Sequence, residues 1–177
     1  VVFVVDNTSS TTPFVEGIKL AVNNIIDGLT DLTTETDIQF GLVLYRDYVS
    51  KLMFEENGRQ SVTKIMPLTK DIKGFRKNID PIRAATISSQ GWPEAVFDGL
   101  WDALTMMKWR GDALSSHCIV LIGDNSGNNE SSGNWNPRKI SMDQIVRKAT
   151  AENVHILSLC IEGGGGEEEQ RIHKEQF

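Results

Sequence analysis

Three runs of mainly apolar residues divide the chain, and aspartates follow the first two. The first run is VVFVV at residues 1–5, directly before Asp6, and the second is IVLI at residues 119–122, two residues before Asp124. The third is VHILSLCI at residues 154–161. Such runs are typical of strands that are buried on both faces of a parallel sheet. We therefore predict three buried strands.

Segments with helical spacing separate these strands. From Pro13 to Leu29 apolar residues recur at steps of three and four, and Thr12 with Pro13 is the predicted N-cap and first turn. Similar spacing predicts helices near residues 71–83, 93–109 and 141–153. Extended segments at residues 38–47 and 61–68 flank an Asn-Gly dipeptide, which predicts a hairpin and hence an antiparallel edge.

This alternation predicts an α/β fold: a doubly wound, mostly parallel sheet with one antiparallel edge strand and helices on both faces. We expect one domain over residues 1–162, and a glycine-rich joint with the start of a charged helix over residues 163–177. Ligands of such sheets bind beyond the carboxyl ends of the strands, where the strand order reverses. If the 119–122 strand lies beside the first strand, Asp6 and Asp124 face each other there.

Composition narrows the possible partners. The 177 residues carry a formal net charge of −6, which argues against broad binding to a nucleic-acid backbone. No apolar run approaches the ~18 residues of a membrane span, so no membrane insertion is expected.

Cys118 and Cys160 lie within apolar runs and are predicted to be buried thiols. The start at Val1 without a methionine suggests a piece of a longer chain with flanking domains.

More hydroxyl residues follow the first strand than the start of one helix needs. One N-cap accounts for one of them and leaves Thr8 and Ser10 unexplained. Asp6, Thr8 and Ser10 are two residues apart, so their side chains can converge on one object. Carboxylate and hydroxyl oxygens suit Mg²⁺, Mn²⁺ or Ca²⁺, with Asp124 as the second carboxylate. An ion held largely by hydroxyls keeps positive charge for an incoming carboxylate.

Several segments together resemble a von Willebrand factor type A (VWA) domain, over nearly the whole chain. They are VVFVVDNTSS, FGLVLYRD, GWPEAVFDGLWDAL, IVLIGD and ILSLCI. The resemblance implies a metal-ion-dependent adhesion site, in which a DxSxS motif and a later aspartate hold the metal. Asp6, Thr8, Ser10 and Asp124 fit these positions, with threonine in place of the first serine. It further implies a non-enzymatic module that binds a protein partner through an Asp or Glu of that partner.

One loop departs from the family pattern. Related domains commonly carry a threonine or aspartate before the PE dipeptide, where this chain has Gly91 in TISSQGWPE. Additional ligand or rim residues are therefore Thr86, Ser88, Ser89, Asn125 and Trp135. In its polar loop, Trp135 is either a recognition anchor or a side chain that folds over an apolar patch.

Other functions fit the residues less well. A VWA domain that binds no metal and acts as a scaffold would show the same sequence features of the fold as a metal-binding one. A phosphatase of the haloacid dehalogenase type would need a second aspartate where Thr8 stands, and an acidic pair where Asp124 is followed by Asn125. The first turn lacks GxGxxG, and the glycines at 163–166 follow the last strand, which disfavours a dinucleotide site. The three histidines are predicted to be structural.

Two glycosylation sequons begin at Asn7 and Asn129. A glycan on Asn7 would lie against the proposed metal. A working site therefore favours an intracellular or bacterial setting, and the sequence assigns no localisation beyond that.

Overall fold

The computed structural model describes residues 1–31, 37–49, 51–88, 93–111, 114–129, 135–162 and 167–176. The strands are β1 Val2–Asp6, β2 Phe40–Tyr45, β3 Phe54–Glu56, β4 Arg59–Ser61, β5 Thr63–Thr69, β6 His117–Gly123 and β7 Val154–Cys160. The helices are α1 Val15–Asp31, α2 Ile72–Ile79, α3 Val96–Met106, α4 Met142–Ala151 and α5 Glu167–Gln176.

The main sheet has the strand order β5-β2-β1-β6-β7. β1 pairs in parallel with both β2 and β6, β6 pairs in parallel with β7, and β5 runs antiparallel to β2. The chain leaves β1 toward one edge and later returns to β6 on the other side, so the strand order reverses between β1 and β6. The predicted α/β class, with one antiparallel edge strand, is confirmed.

Alternate side chains of the strands pack into two core layers, one on each face of the sheet. Val4 and Leu121 belong to the layer under α3 and α4, whereas Phe3, Val5 and Ile122 belong to the layer under α1 and α2. All five residues of β1 are buried. A central parallel strand needs apolar residues on both faces, which is why VVFVV has no polar alternation.

The entry into α1 differs from the predicted cap. A short 3-10 turn, Thr12–Phe14, precedes α1, and no side chain caps it. The hydroxyls of Thr11 and Thr12 instead donate to the carbonyl oxygens of Thr8 and Ser9, at 2.8 and 2.7 Å. The prediction of Thr12 as an N-cap is therefore wrong, because its hydroxyl donates back to the preceding loop.

The Asn-Gly dipeptide forms its turn in a different hairpin from the one expected. Asn57 and Gly58 have φ values of 52° and 73°, the left-handed region that these residue types tolerate best. Their turn joins β3 to β4 in a separate two-stranded sheet. The antiparallel edge itself is β5, which follows this hairpin directly.

The last strand is less buried than its sequence predicts. β7 lies at the edge of the sheet, and Leu157 and Leu159 are 59% and 43% exposed. Cys160 is also exposed and Cys118 is half-buried, so the expectation of two buried thiols is wrong. An edge position leaves one face and one side of the strand uncovered, which an apolar sequence alone does not reveal.

None of the helices in the described part of the chain is both long and apolar enough to cross a bilayer. The glycine-rich joint at 163–166 lies outside the described residues, so the boundary at residue 162 remains a prediction.

Gly99 lets α3 approach the sheet closely. A Cβ at this position would lie 3.0 Å from Tyr45 Cδ1 and 3.0 Å from Val4 Cγ1. We expect Gly99→Ala to lower the free energy of unfolding by about 1–3 kcal/mol through overpacking. The control is Gly28→Ala in α1, where a Cβ meets nothing within 4 Å; it should raise stability by roughly 0.5–1 kcal/mol. Urea unfolding of both variants checks this, and equal shifts would contradict it.

Candidate metal centre

A chain of hydrogen bonds links the end of β1 to the end of β6. Asp6 Oδ1 accepts from the main-chain N–H and the hydroxyl of Thr8, at 2.8 and 2.7 Å. Thr8 Oγ1 lies 2.9 Å from Ser10 Oγ, which donates to Asp124 Oδ1 at 3.1 Å. Asp6, Thr8 and Asp124 are buried. The structure therefore brings together the four residues that the sequence nominates.

Glu94 is a third carboxylate at the same place. One ligand oxygen each from Asp6, Glu94 and Asp124 lie within 4.8 Å of one another. Glu94 Oε1 accepts from Asn125 Nδ2 at 3.3 Å, whereas its buried Oε2 has no hydrogen-bond partner among the described residues. Glu94 is not among the residues that the sequence nominates. The available signal was an acidic residue just before an apolar helix, at the carboxyl end of the sheet.

Backbone pairing holds Glu94 in place. Its N–H donates to Ser126 O at 2.8 Å, and its carbonyl accepts from Asn128 N–H at 2.7 Å. These bonds form a parallel bridge between Glu94 and Gly127. The loop after Asp124 is thereby fixed to the start of α3.

The site concentrates negative charge. Burial, followed by the neighbouring Asp6, Asp47 and Asp124 carboxylates, raises the pKa of Glu94 well above its usual value. Burial and Asp6 raise the pKa of Asp124 to about 7, although the Ser10 hydrogen bond opposes the rise. Within the described residues, Asp6, Glu94 and Asp124 form no ion pair with a Lys or Arg. Carboxylate and hydroxyl oxygens around uncompensated charge suit a hard divalent cation.

Asp47 is a further acidic residue that is not among those the sequence nominates. It follows β2 and is fully buried, and its charge is one of the causes of the raised pKa of Glu94. A buried acid after a strand resembles an ordinary loop residue in the sequence, so only the fold reveals its proximity to Glu94.

Residues 1–170 match the family model described as the TssR protein VWA domain. The chain belongs to this VWA family. The predicted VWA resemblance is therefore confirmed, and VWA domains are often protein-interaction modules. A search of curated proteins gave no match for this VWA domain.

Solved structures show the same fold in larger proteins. The pilus adhesin SpaC from Lactobacillus rhamnosus GG, in an open conformation, is 13% identical with a TM-score of 0.65, over 99% of this VWA domain and 25% of SpaC. Proximal thread matrix protein 1 from the mussel byssus, described with a zinc-occupied MIDAS motif, is 18% identical with a TM-score of 0.59, over 97% of this domain and 38% of that chain. The VWA domain thus spans a quarter to under half of these proteins.

The additional candidates occupy different positions around this VWA site. Asn125 is buried and its Nδ2 donates to Asp124 Oδ1 at 3.0 Å as well as to Glu94. Thr86 and Ser88 are exposed in the loop after α2. Trp135 is 37% exposed. Ser89 and Gly91 lie outside the described residues.

Asn7 is unsuited to a glycan in this VWA domain. Its side chain is buried, donates to Arg83 O at 2.8 Å and accepts from Arg46 Nε at 3.0 Å. The Asn7 side chain is therefore packed inside the domain, where a glycan would not fit.

The charged C-terminal helix α5 contacts the loop after Asp124. Ser126 N–H donates to Glu169 Oε1 at 2.9 Å, and Gly127 N–H donates to Gln176 Oε1 at 2.6 Å. The buried ring of His173 lies 3.5 Å from Cys160 Sγ. The sequence predicts this helix but not that it packs beside the candidate site.

Proposed function

We propose that this VWA domain binds a divalent cation, Mg²⁺ or else Mn²⁺ or Ca²⁺, through Asp6, Thr8, Ser10 and Asp124. The proposed consequence is recruitment of a partner protein through an Asp or Glu side chain. The observation that carries the proposal is the hydrogen-bonded chain from Asp6 to Asp124, closed by the partnerless buried Oε2 of Glu94.

The ligand set of the site supports an acidic partner. Only two of the four proposed ligands, Asp6 and Asp124, are carboxylates, so a hard cation held there would keep coordination positions for a further oxygen ligand. Thr8 and Ser10 contribute oxygens without charge. A bound cation would supply a positive centre for the partner's carboxylate, while Asn125 would hold Asp124 and Glu94 in orientation.

A metal-free scaffold is the second candidate function. The hydroxyls of Thr8 and Ser10 already have partners within the domain, so the loop is ordered by its own hydrogen bonds. Catalysis is not part of the proposal. In the phosphatase alternative Thr8 would replace the general acid, and its hydroxyl donates to Asp6. Phosphate-ester turnover that requires Mg²⁺ and is lost in Asp6→Asn would overturn this ranking.

Calorimetry on the EDTA-treated chain tests cation binding. We expect heat of binding with Mn²⁺ and Mg²⁺ that is lost in Asp6→Ala, because Asp6 anchors the hydroxyl network. Asp143→Ala is the control, since Asp143 is an exposed acid on α4. The metal-free scaffold is favoured if neither chain gives heat, whereas equal heat from Asp6→Ala would contradict binding at Asp6.

Water-proton relaxation of the Mn²⁺-loaded chain tests the acidic partner. Exchangeable water on the ion should enhance relaxation, and acetate should reduce this enhancement by displacing water. Methylammonium should have no such effect. An enhancement that acetate leaves unchanged would contradict recruitment of a carboxylate while leaving cation binding intact.

A further inference from the structure

Arg138 forms a two-pronged ion pair with α3. Its Nη1 lies 3.1 Å from Asp98 Oδ1, and its Nη2 lies 2.7 Å from Asp102 Oδ1. Both acids are buried. Two further donors reach the same carboxylates, because Tyr48 O–H donates to Asp98 Oδ1 and Thr63 O–H donates to Asp102 Oδ2, each at 2.6 Å. The guanidinium is therefore the centre of a satisfied polar network.

This network joins segments that carry acids of the candidate site. Tyr48 directly follows Asp47, and α3 begins two residues after Glu94. Arg138 itself belongs to the loop that follows Asp124 in sequence. The Arg138 guanidinium thus lies where three segments meet, namely those that follow Asp47, Glu94 and Asp124 in the sequence.

A second set of bonds connects Arg138's loop to Glu94. Asn136 Nδ2 donates to Asn128 O at 3.2 Å and to Ile140 O at 2.9 Å. Asn128 N–H in turn donates to Glu94 O at 2.7 Å. Asn136 and Asn128 thus connect the Arg138 loop to the backbone of Glu94 through hydrogen bonds.

We propose that Arg138 is a positioning residue for the cation site, which it supports by clamping the loop after Asp124 onto α3. This inference rests on the proposed cation binding. Arg138 contacts none of the proposed ligands, so it acts through the backbone that places Glu94 and Asp124. A ligand set assembled from separate loops binds well only if those loops are held at the right spacing.

If Arg138 acts only through its charge, its replacement should strengthen cation binding, and if it positions the loop, its replacement should weaken cation binding. Removing a positive charge makes the surroundings more negative, which by itself strengthens cation binding. Releasing the loop separates the ligands, which weakens binding. The direction of the change in affinity therefore distinguishes the two roles, and a lower melting temperature alone would not.

Mn²⁺ titration of the full chain at a temperature where every variant is folded tests the proposal. We expect Arg138→Met to raise the Mn²⁺ dissociation constant by roughly 10-fold or more. Arg138→Lys should also weaken binding, because a lysine keeps the charge but cannot bridge both carboxylates as a fork. Arg147→Met is the control: Arg147 is an exposed arginine on α4, so its loss removes the same charge without releasing the loop.

Equal or tighter Mn²⁺ binding by both Arg138 variants would overturn the positioning role. If Arg138→Met does not fold, Arg138→Lys and Tyr48→Phe test the positioning role, and both should weaken Mn²⁺ binding. Tyr48→Phe removes one hydrogen bond to Asp98 and leaves every charge in place. Failure of the unsubstituted chain to bind Mn²⁺ would overturn the proposed function and this inference together. Normal binding with unaffected Arg138 variants would overturn the inference alone.

Discussion

Asp124→Asn is expected to weaken cation binding by ~100-fold or more and, in the same protein, to stabilise the metal-free chain near neutral pH. Asparagine keeps the oxygen that accepts from Ser10 and Asn125, so the hydrogen-bonded loop remains in place. It removes one of the buried carboxylates that face one another without an ion pair among the described residues. In the proposed function, cation binding would therefore come at the cost of stability in the metal-free chain.

The pH dependence follows from the raised pKa of Asp124. In the unfolded chain an aspartate titrates near 4, whereas the folded environment raises the pKa of Asp124 to about 7. The folded state therefore holds a proton that the unfolded state releases, so the free energy of unfolding falls as pH rises from about 4 to about 7. The loss remains above that range. We expect it to be about 1–2 kcal/mol, since solvent screens part of the interaction.

Urea unfolding in EDTA at about pH 5 and about pH 8 measures this effect. Asp124→Asn should be more stable than the unsubstituted chain at the higher pH, and the difference should shrink at the lower pH. Added Mg²⁺ should stabilise only the unsubstituted chain, and more strongly at the higher pH, because the cation competes with protons. An Asp124→Asn chain that is less stable at about pH 8 would contradict the argument.

The sequence was sufficient for the parts of the site that depend on local spacing and sheet topology. Asp6 ends β1, and Thr8 and Ser10 follow at intervals of two, so their convergence needs only a loop at the strand end. Asp124 joins them because β6 pairs with β1, which the alternation of strands and helices already indicated. Both features are encoded within short windows or in the order of elements.

The sequence gives only a weak signal for Glu94 and none for Asp47, because their role depends on tertiary contacts. Glu94 resembles an ordinary acidic residue before a helix, and only its pairing with Ser126 and Asn128 aims it at Asp6. The same limit applies to Arg138, whose two partners on α3 are far away in sequence. Long-range pairing of charged residues leaves no periodic signal in one sequence.

The exposure of β7 shows the corresponding limit for the fold. VHILSLC has the composition of a buried central strand, yet it occupies an edge. Edge position is decided by how many strands the chain adds afterwards, and not by the strand's own residues. The helix that follows, α5, contacts the loop after Asp124 instead of adding a strand.

Phe3→Ala is expected to cost about 3–5 kcal/mol of unfolding free energy, the largest stability loss we predict for this domain. Phe3 is fully buried in the central strand, and its ring lies 6.3 Å from the rings of both Phe40 and Phe75. The latter two rings are 5.9 Å apart, so the three rings close a triangle between the sheet and α2. Removing one ring leaves a cavity that the other two cannot fill, because each is held by its own strand or helix.

Thermal unfolding of Phe3→Ala should show a melting temperature lower by on the order of 10 °C. Phe14→Ala is the matched control, because Phe14 is 37% exposed in the turn before α1 and should lose far less stability. Phe3→Leu should recover most of the loss, since leucine refills much of the volume between the remaining rings. A Phe3→Ala chain no less stable than Phe14→Ala would mean that the aromatic triangle does not anchor this face of the sheet.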